Sequence, residues 1–156
     1  MDPEKPTEEE LQGHKHFAIK CNNLAWDLTT ATRTPAEDEA MLNLAHASSY
    51  HWGIVGTELH QMRAKMLVAE VHSLAGHGDL AFRYATEMRD YFLNSEAPDW
   101  EIAFTHTIYA HAAWVAGEHT TYHEAYEQAL TAVANIADEE DQRIVQATLA
   151  LVPQPD

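Results

Sequence analysis

An all-α chain of about seven helices in antiparallel hairpins is the fold this sequence predicts, and three observations carry the prediction. Apolar residues recur at three- and four-residue spacing, and no strand-like alternation survives inspection. The 6 Gly and 6 Pro fall between these long periodic stretches. The connections left over are roughly two to six residues long, which favours antiparallel neighbours. The simplest architecture is three helical hairpins and a final helix, within one domain spanning all 156 residues. Short tails are expected at 1–6 and 153–156.

The first helix is expected to start at Thr7, whose hydroxyl can cap while Glu10 closes a capping box. Its inward stripe would be Phe17, Cys21, Leu24, Ala25 and Leu28, and it would end near Thr30. Thr34 starts a second helix with Pro35 at its first position, where no N–H is needed, and with Met41, Leu44, Ala45, Ser48, Trp52 and Val55 on one side. Gly53 and Gly56 mark its end. Thr57 caps a third helix bearing Leu59, Met62, Met66, Ala69 and Leu74, which Gly76-His77-Gly78 terminates. Asp79 is expected to cap the fourth, burying Ala81, Tyr84, Ala85, Met88 and Phe92. Pro98 opens a fifth with two apolar faces, Ala103-Ala110-Ala113 and Phe104-Ile108-Val115, so this helix should lie buried between neighbours until Gly117 ends it. Thr121 and Glu124 form a capping box for the sixth, through Tyr122, Ala125, Tyr126, Ala129, Val133 and Ile136. Asp138 caps the seventh, with Ile144, Ala147, Thr148 and Leu151 inward.

Composition narrows the function classes. Nine Lys and Arg against 25 Asp and Glu give a formal charge of −16, so nucleic acid and anionic membranes are poor partners. Residues 1–10 have neither the positive start nor the apolar run of a leader, and no apolar stretch is long enough to span a membrane. Cys21 stands alone, so no disulfide can form within the chain and a reducing, cytoplasmic setting is expected.

A weak internal repeat links two regions. Ala69-Glu-Val-His-Ser-Leu-Ala-Gly76, followed by Ala81 and Ala85, lies over Ala110-His-Ala-Ala-Trp-Val-Ala-Gly117, followed by Ala125 and Ala129. In this alignment the second turn carries three extra residues. Small residues at these places let helices approach closely. They resemble the small residues of the tetratricopeptide-repeat (TPR) family over about residues 57 to 137, though the spacing is longer and the family's Trp and Pro signature is missing. The whole chain also resembles small bacterial TPR-like proteins. The resemblance implies a right-handed helical repeat whose groove, lined by the first helix of each hairpin, takes a peptide or protein. The third and fifth helices would then offer Arg63, Met66 and Glu70, and Thr107, His111 and Trp114, as groove contacts.

Several motifs compete with that reading. Twelve of the acids (Glu8, Glu9, Glu10, Glu37, Asp38, Glu39, Asp99, Glu101 and Asp138 through Asp141) sit in expected first turns, where they meet the positive end of the helix dipole; a surface for a basic partner is the other reading. Eleven histidines outnumber all Lys and Arg. His119 and His123 have metal-ligand spacing with Glu127 a turn beyond, but a Thr121 cap would leave His119 outside the helix. His46, His51, His106 and His111 could converge as a metal centre if the second and fifth helices packed together. That arrangement resembles the metal-dependent helical bundles of the DinB type, in length and helicity only, since neither Glu-x-x-His nor His-Glu-x-x-His occurs. Gly76-His-Gly-Asp-Leu-Ala81 matches a dinucleotide fingerprint by letters, but a helix precedes it where a strand is needed. No nucleophile stands out, and Cys21 reads as a core thiol.

The expectation is therefore a non-enzymatic TPR-like module without a cofactor, binding a protein, a peptide or its own copy as a homodimer. A His-cluster metal enzyme or ligand sensor is the alternative. A pH-responsive module is the third reading, because protonating every histidine would take the charge from −16 to about −5.

Overall fold

The computed structural model describes residues 3–156, which form seven helices and no strand: α1 (Glu8–Thr29), α2 (Pro35–Val55), α3 (Glu58–Leu74), α4 (Gly78–Leu93), α5 (Asp99–Val115), α6 (His119–Ala134) and α7 (Glu139–Leu149). Of the expected N-terminal tail, Met1 and Asp2 lie outside the described residues.

Polar caps start three helices. At Thr7 the hydroxyl accepts from the Glu10 N–H at 3.2 Å while the Glu10 carboxylate accepts from the Thr7 N–H at 2.7 Å, and Thr34 and Glu37 repeat the arrangement. Asp138 caps α7 by accepting from the Asp141 N–H. Arg33 closes the turn after α1, donating to the Leu28 carbonyl at 2.8 Å and to Asp38 at 2.6 Å. It thereby sets a cation at a helix C-terminus, where the dipole favours one.

Two starts differ from expectation. Asp79 does not cap α4, which begins at Gly78 directly after His77, and Thr121 does not cap α6, which begins at His119 directly after Glu118. The cause is a pair of matching turns. Gly76 and Gly117 adopt φ of +80° and +78°, and in each the next residue's N–H returns to a carbonyl five back, His77 to His72 and Glu118 to Ala113, both at 2.9 Å. The left-handed glycine reverses the chain so tightly that the following residue already starts the next helix, with no polar cap.

The matching turns also correct the repeat. From Glu58 to Asp99 and from Gly78 to His119 the offset is 41 residues, and the paired helices have equal lengths of 17 and 16 residues. There is no three-residue insertion in the second turn. Ala81, Ala85, Met88 and Phe92 of α4 correspond instead to Tyr122, Tyr126, Ala129 and Val133 of α6, and all eight are buried.

Packing gives two layers. The odd helices form a row, α1 on α3, α3 on α5 and α5 on α7. Each even helix packs against the odd helices on either side of it, with no comparable packing between even helices. A row in contact beneath a layer that spreads apart curves toward the row, so the odd helices line the inner face.

Three cores follow this order. The first joins α1, α2 and α3 through Ala25, Met41, Ala45, Leu67, Val68 and Val71. The second joins α3, α4 and α5 around Met66, Ala69, Met88, Phe92, Ile108 and Ala112. The third joins α5, α6 and α7 around Ala103, Ala110, Tyr126, Val133, Val145 and Leu149. The Tyr122 hydroxyl donates to the Pro153 carbonyl, which ties the C-terminal segment back onto α6.

In the two terminal helices Ala25 and Thr148 are buried as expected, but the rest of the buried flank lies one residue along from expectation. Ala18, Ala25 and Thr29 are the buried positions of α1, while Phe17 and Leu24 are 48% and 43% exposed. In α7, Val145, Thr148 and Leu149 are buried and Ile144 is exposed. A terminal helix has a neighbour on one flank only, so bulk alone does not reveal which flank is covered. Gly53 does not end α2, which runs to Val55, and Gly13 lies inside α1.

The glycines give a test of this packing. A Cβ at Gly78 would sit 2.7 Å from the Val115 carbonyl oxygen and 2.8 Å from the Ala116 Cα, whereas one at Gly53 meets nothing within 4 Å. In urea titrations Gly78→Ala should destabilise by about 2 kcal/mol. Gly53→Ala should stabilise by roughly 0.5–1 kcal/mol, since Ala is the better helix former.

Candidate functional site

The inner face opens near the N-terminal ends of α3 and α5 into a concavity of about 500 Å³. α1 contributes Trp26, α3 contributes Arg63 and Met66, α5 contributes Trp100, Glu101 and Phe104, and α7 contributes Thr148. The Phe104 ring lies 5.7 Å from Trp26 and 6.4 Å from Trp100, edge-on to the latter. Such offset and edge contacts suit ring quadrupoles and hold the three aromatics as one wall.

A fork-to-fork ion pair braces this wall. Arg63 donates from Nε to Glu101 Oε2 at 2.7 Å and from Nη2 to Oε1 at 3.0 Å. Glu101 is buried, while the Arg63 side chain is 40% exposed and its guanidinium carbon lies 5.7 Å from the Trp100 ring centre. Glu101 falls in the first turn of α5, where free N–H groups favour a carboxylate. The hydrogen bond to Glu101 further secures the charge on Arg63.

One stripe of α5 contains both the expected contacts and residues that line the concavity. Trp100, Phe104, Thr107, His111 and Trp114 follow one another at four- and three-residue steps, so they share a face. Sequence reasoning selected the C-terminal half of this stripe, whereas the opening lies at its N-terminal half. Of the expected contacts, Arg63 and Met66 line the concavity. Glu70, Thr107 and His111 are buried and present no surface to a partner, and Trp114 is exposed but away from the opening. Trp26 and Trp100 were not singled out, and Glu101 was named only among the acids of the first turns. Tracing the stripe back from Thr107 reaches Phe104 after one turn and Trp100 after two.

The histidines act as joints between helices. His111 Nδ1 of α5 meets both carboxylate oxygens of Glu70 of α3, at 3.0 and 3.2 Å. Burial weighs against a charged His111, but the Glu70 carboxylate and its hydrogen bond outweigh it and raise the imidazole above its ordinary pKa. His14 of α1 faces His51 of α2, Nδ1 to Nδ1, at 2.7 Å. His46 of α2, His72 of α3 and His77 before α4 form a chain, with Nε2 to Nε2 at 2.7 Å and Nδ1 to Nδ1 at 3.0 Å. Trp52 stacks on His60 with ring centres 4.3 Å apart.

These pairings separate the four histidines of the metal alternative. His46 and His51 are engaged with His72 and His14, His111 with Glu70, and His106 stands apart with a buried Nδ1 that has no partner among the described residues. The reason is topological: α3 and α4 come between α2 and α5. His106 has a lowered pKa, from burial and then from the charge of Arg89. His119 and His123 both belong to α6 and are exposed. Among the described residues no three His, Cys, Asp or Glu side chains are placed to share a metal ion.

Comparison with known proteins finds no matching family model, no matching curated protein and no matching solved structure.

The three-ring chain makes stability depend on pH. Each N···N contact holds one proton between its two rings, which the neutral chain supplies. Burial, then His46 and His77, lowers the pKa of His72 from 6.5 to about 4. The unfolded chain therefore binds a proton at His72 first as pH falls, so the stabilisation is present above 6.5 and lost progressively toward 4. The total for His72 is about 3 kcal/mol, with about 2 kcal/mol gone by pH 5. Urea titrations at pH 7.5 and 5 should show that difference between the native chain and His72→Gln, with the variant less sensitive to acid.

Proposed function

We propose that this chain is a non-enzymatic, TPR-like helical-repeat module that binds a peptide, or a segment of another protein, along the face lined by α1, α3, α5 and α7. The observation that carries the reading is the half-buried aromatic wall of Trp26, Trp100 and Phe104 around the Arg63–Glu101 pair. Aromatic rings and arginine in a concave, partly dry site are the usual anchors of protein recognition. A binding role is further supported by what the buried histidines do, since His72 and His111 are consumed in joints within the fold. A charge of −16 counts against nucleic acid, and no helix among the described residues is long and apolar enough to cross a membrane. The lone Cys21 fits a reducing cytoplasm.

Peptide selection from a random display library tests this. Enriched peptides should lose about tenfold or more in affinity with Trp100→Ala and nothing with Trp114→Ala. If no peptide is enriched, or if the enriched ones bind Trp100→Ala equally well, the proposal is wrong.

Self-association is the second form such binding can take. Phe17 and Tyr50 on the outer flank of the first hairpin are 48% and 66% exposed and gather around His51, with ring centres 6.1 and 5.4 Å from it. Exposed aromatics clustered on an uncovered flank are what a second copy would bury. Light scattering at micromolar concentration should give twice the 17.5 kDa chain mass, reverting to one chain in Phe17→Glu; a monomer in the native protein removes this form.

A further inference from the structure

We infer that the occupant of the inner-face concavity is a basic peptide in which arginine or lysine flanks an apolar residue; this inference rests on the binding role proposed above. The groove has an apolar middle and acidic ends. Trp26, Phe104 and Trp100 form the middle, Asp27 of α1 lies at one rim, and Asp141 of α7 lies in the adjoining recess of about 190 Å³ beside Trp100 and Phe104. Neither Asp27 nor Asp141 makes an ion pair within the described residues. Arg63, the cation lining the groove, is neutralised by Glu101 along one edge of its guanidinium.

Three physical effects select a cation. Free carboxylates at both ends of an apolar trough, on a chain of charge −16, attract cations and repel anions at the distance of approach. The aromatic faces between them bind ammonium or guanidinium groups through the ring quadrupole, most strongly where water is excluded. The site already holds one such contact, because the Arg63 guanidinium lies 5.7 Å from the Trp100 ring. An acidic peptide would find the outer edge of Arg63 and be opposed by Asp27, Asp141 and the overall charge. Long basic side chains also bring apolar stems, which suit a wall of rings whose polar rim is carboxylate.

The test uses three tryptophan-free octapeptides of alternating leucine with arginine, glutamine or glutamate, titrated into the full chain and followed by protein tryptophan fluorescence and peptide anisotropy. The arginine peptide should bind, weaken about tenfold between low and physiological salt, and weaken several-fold in Asp27→Asn and Asp141→Asn. Glu139→Gln and Glu140→Gln should leave its binding unchanged, which separates the groove from general attraction to an acidic surface; an equal loss in these variants overturns the proposal. If the glutamine or glutamate peptide binds as tightly and Trp100→Ala abolishes that binding, the choice of a cation is wrong and the groove stands. If no peptide binds, or binding survives Trp100→Ala, the groove itself is wrong and the choice of a cation falls with it. Circular dichroism checks that Trp100→Ala folds, and the exposed Asp27→Asn keeps the test valid if it does not.

Discussion

α3 and α5 are the two helices that must be covered on both flanks, and the remaining packing is arranged around that requirement. Leu67, Val68 and Val71 of α3 face the first core while Met66 and Ala69 face the second; Ile108 and Ala112 of α5 face the second while Ala103, Ala110 and Ala113 face the third. The seam between the two helices contains Glu70 and His111, which occupy the same place in the 41-residue repeat. A buried carboxylate and imidazole each lose hydration, so the pair contributes little net stability, but losing either partner would strand the other at a cost of roughly 3–5 kcal/mol. Such a pair holds the two helices in one register more than it strengthens their contact.

The seam and the opening are two ends of the same contact. Toward the C-terminal ends of α3 and α5, alanines and the Glu70–His111 pair close the interface. At the N-terminal ends, Trp26, Trp100 and Phe104 are too large to sink between the helices and stay half-buried, with the half-buried Arg63 anchored on the buried Glu101. A large ring in a row of small residues leaves a recess beside it, because close-packed helices do not deform smoothly around one side chain. Along α5 the change from Trp100 and Phe104 to Ala110, Ala112 and Ala113 therefore produces both a close seam and an open recess.

Much of this architecture is legible in the residues. Thr7, Thr34, Thr57, Pro98 and Asp138 each immediately precede a helix, because a polar cap or a proline announces a start locally. The starts of α4 and α6 are not legible in that way: their position is imposed by the backbone of Gly76 and Gly117, and the nearby Asp79 and Thr121 only look like caps. The double burial of α5 is visible in its two apolar faces. That of α3 is hidden, because Glu70, His72 and Ser73 read as surface residues and become buried only through partners on other helices or through the fold around them. For the candidate site, the periodicity groups Arg63 with Met66 and Trp100 with Phe104 on one face each but carries no information on where along the helices the neighbours stop touching. The histidine joints depend on pairs far apart in sequence, such as His14 with His51 and His46 with His72, which no local pattern marks.

The matching turns have a consequence at the level of the coding sequence. Because the chain leaves α3 at Gly76 and α5 at Gly117 with the same backbone geometry, and re-enters a helix at the same step, the two points are interchangeable joints. Unequal recombination between them would delete or duplicate one complete 41-residue unit without disturbing either reversal of the chain. The reversals of the chain can thus recur in whole steps, while each added or removed step would change which residue faces the place of Glu70 or His111 in the seam.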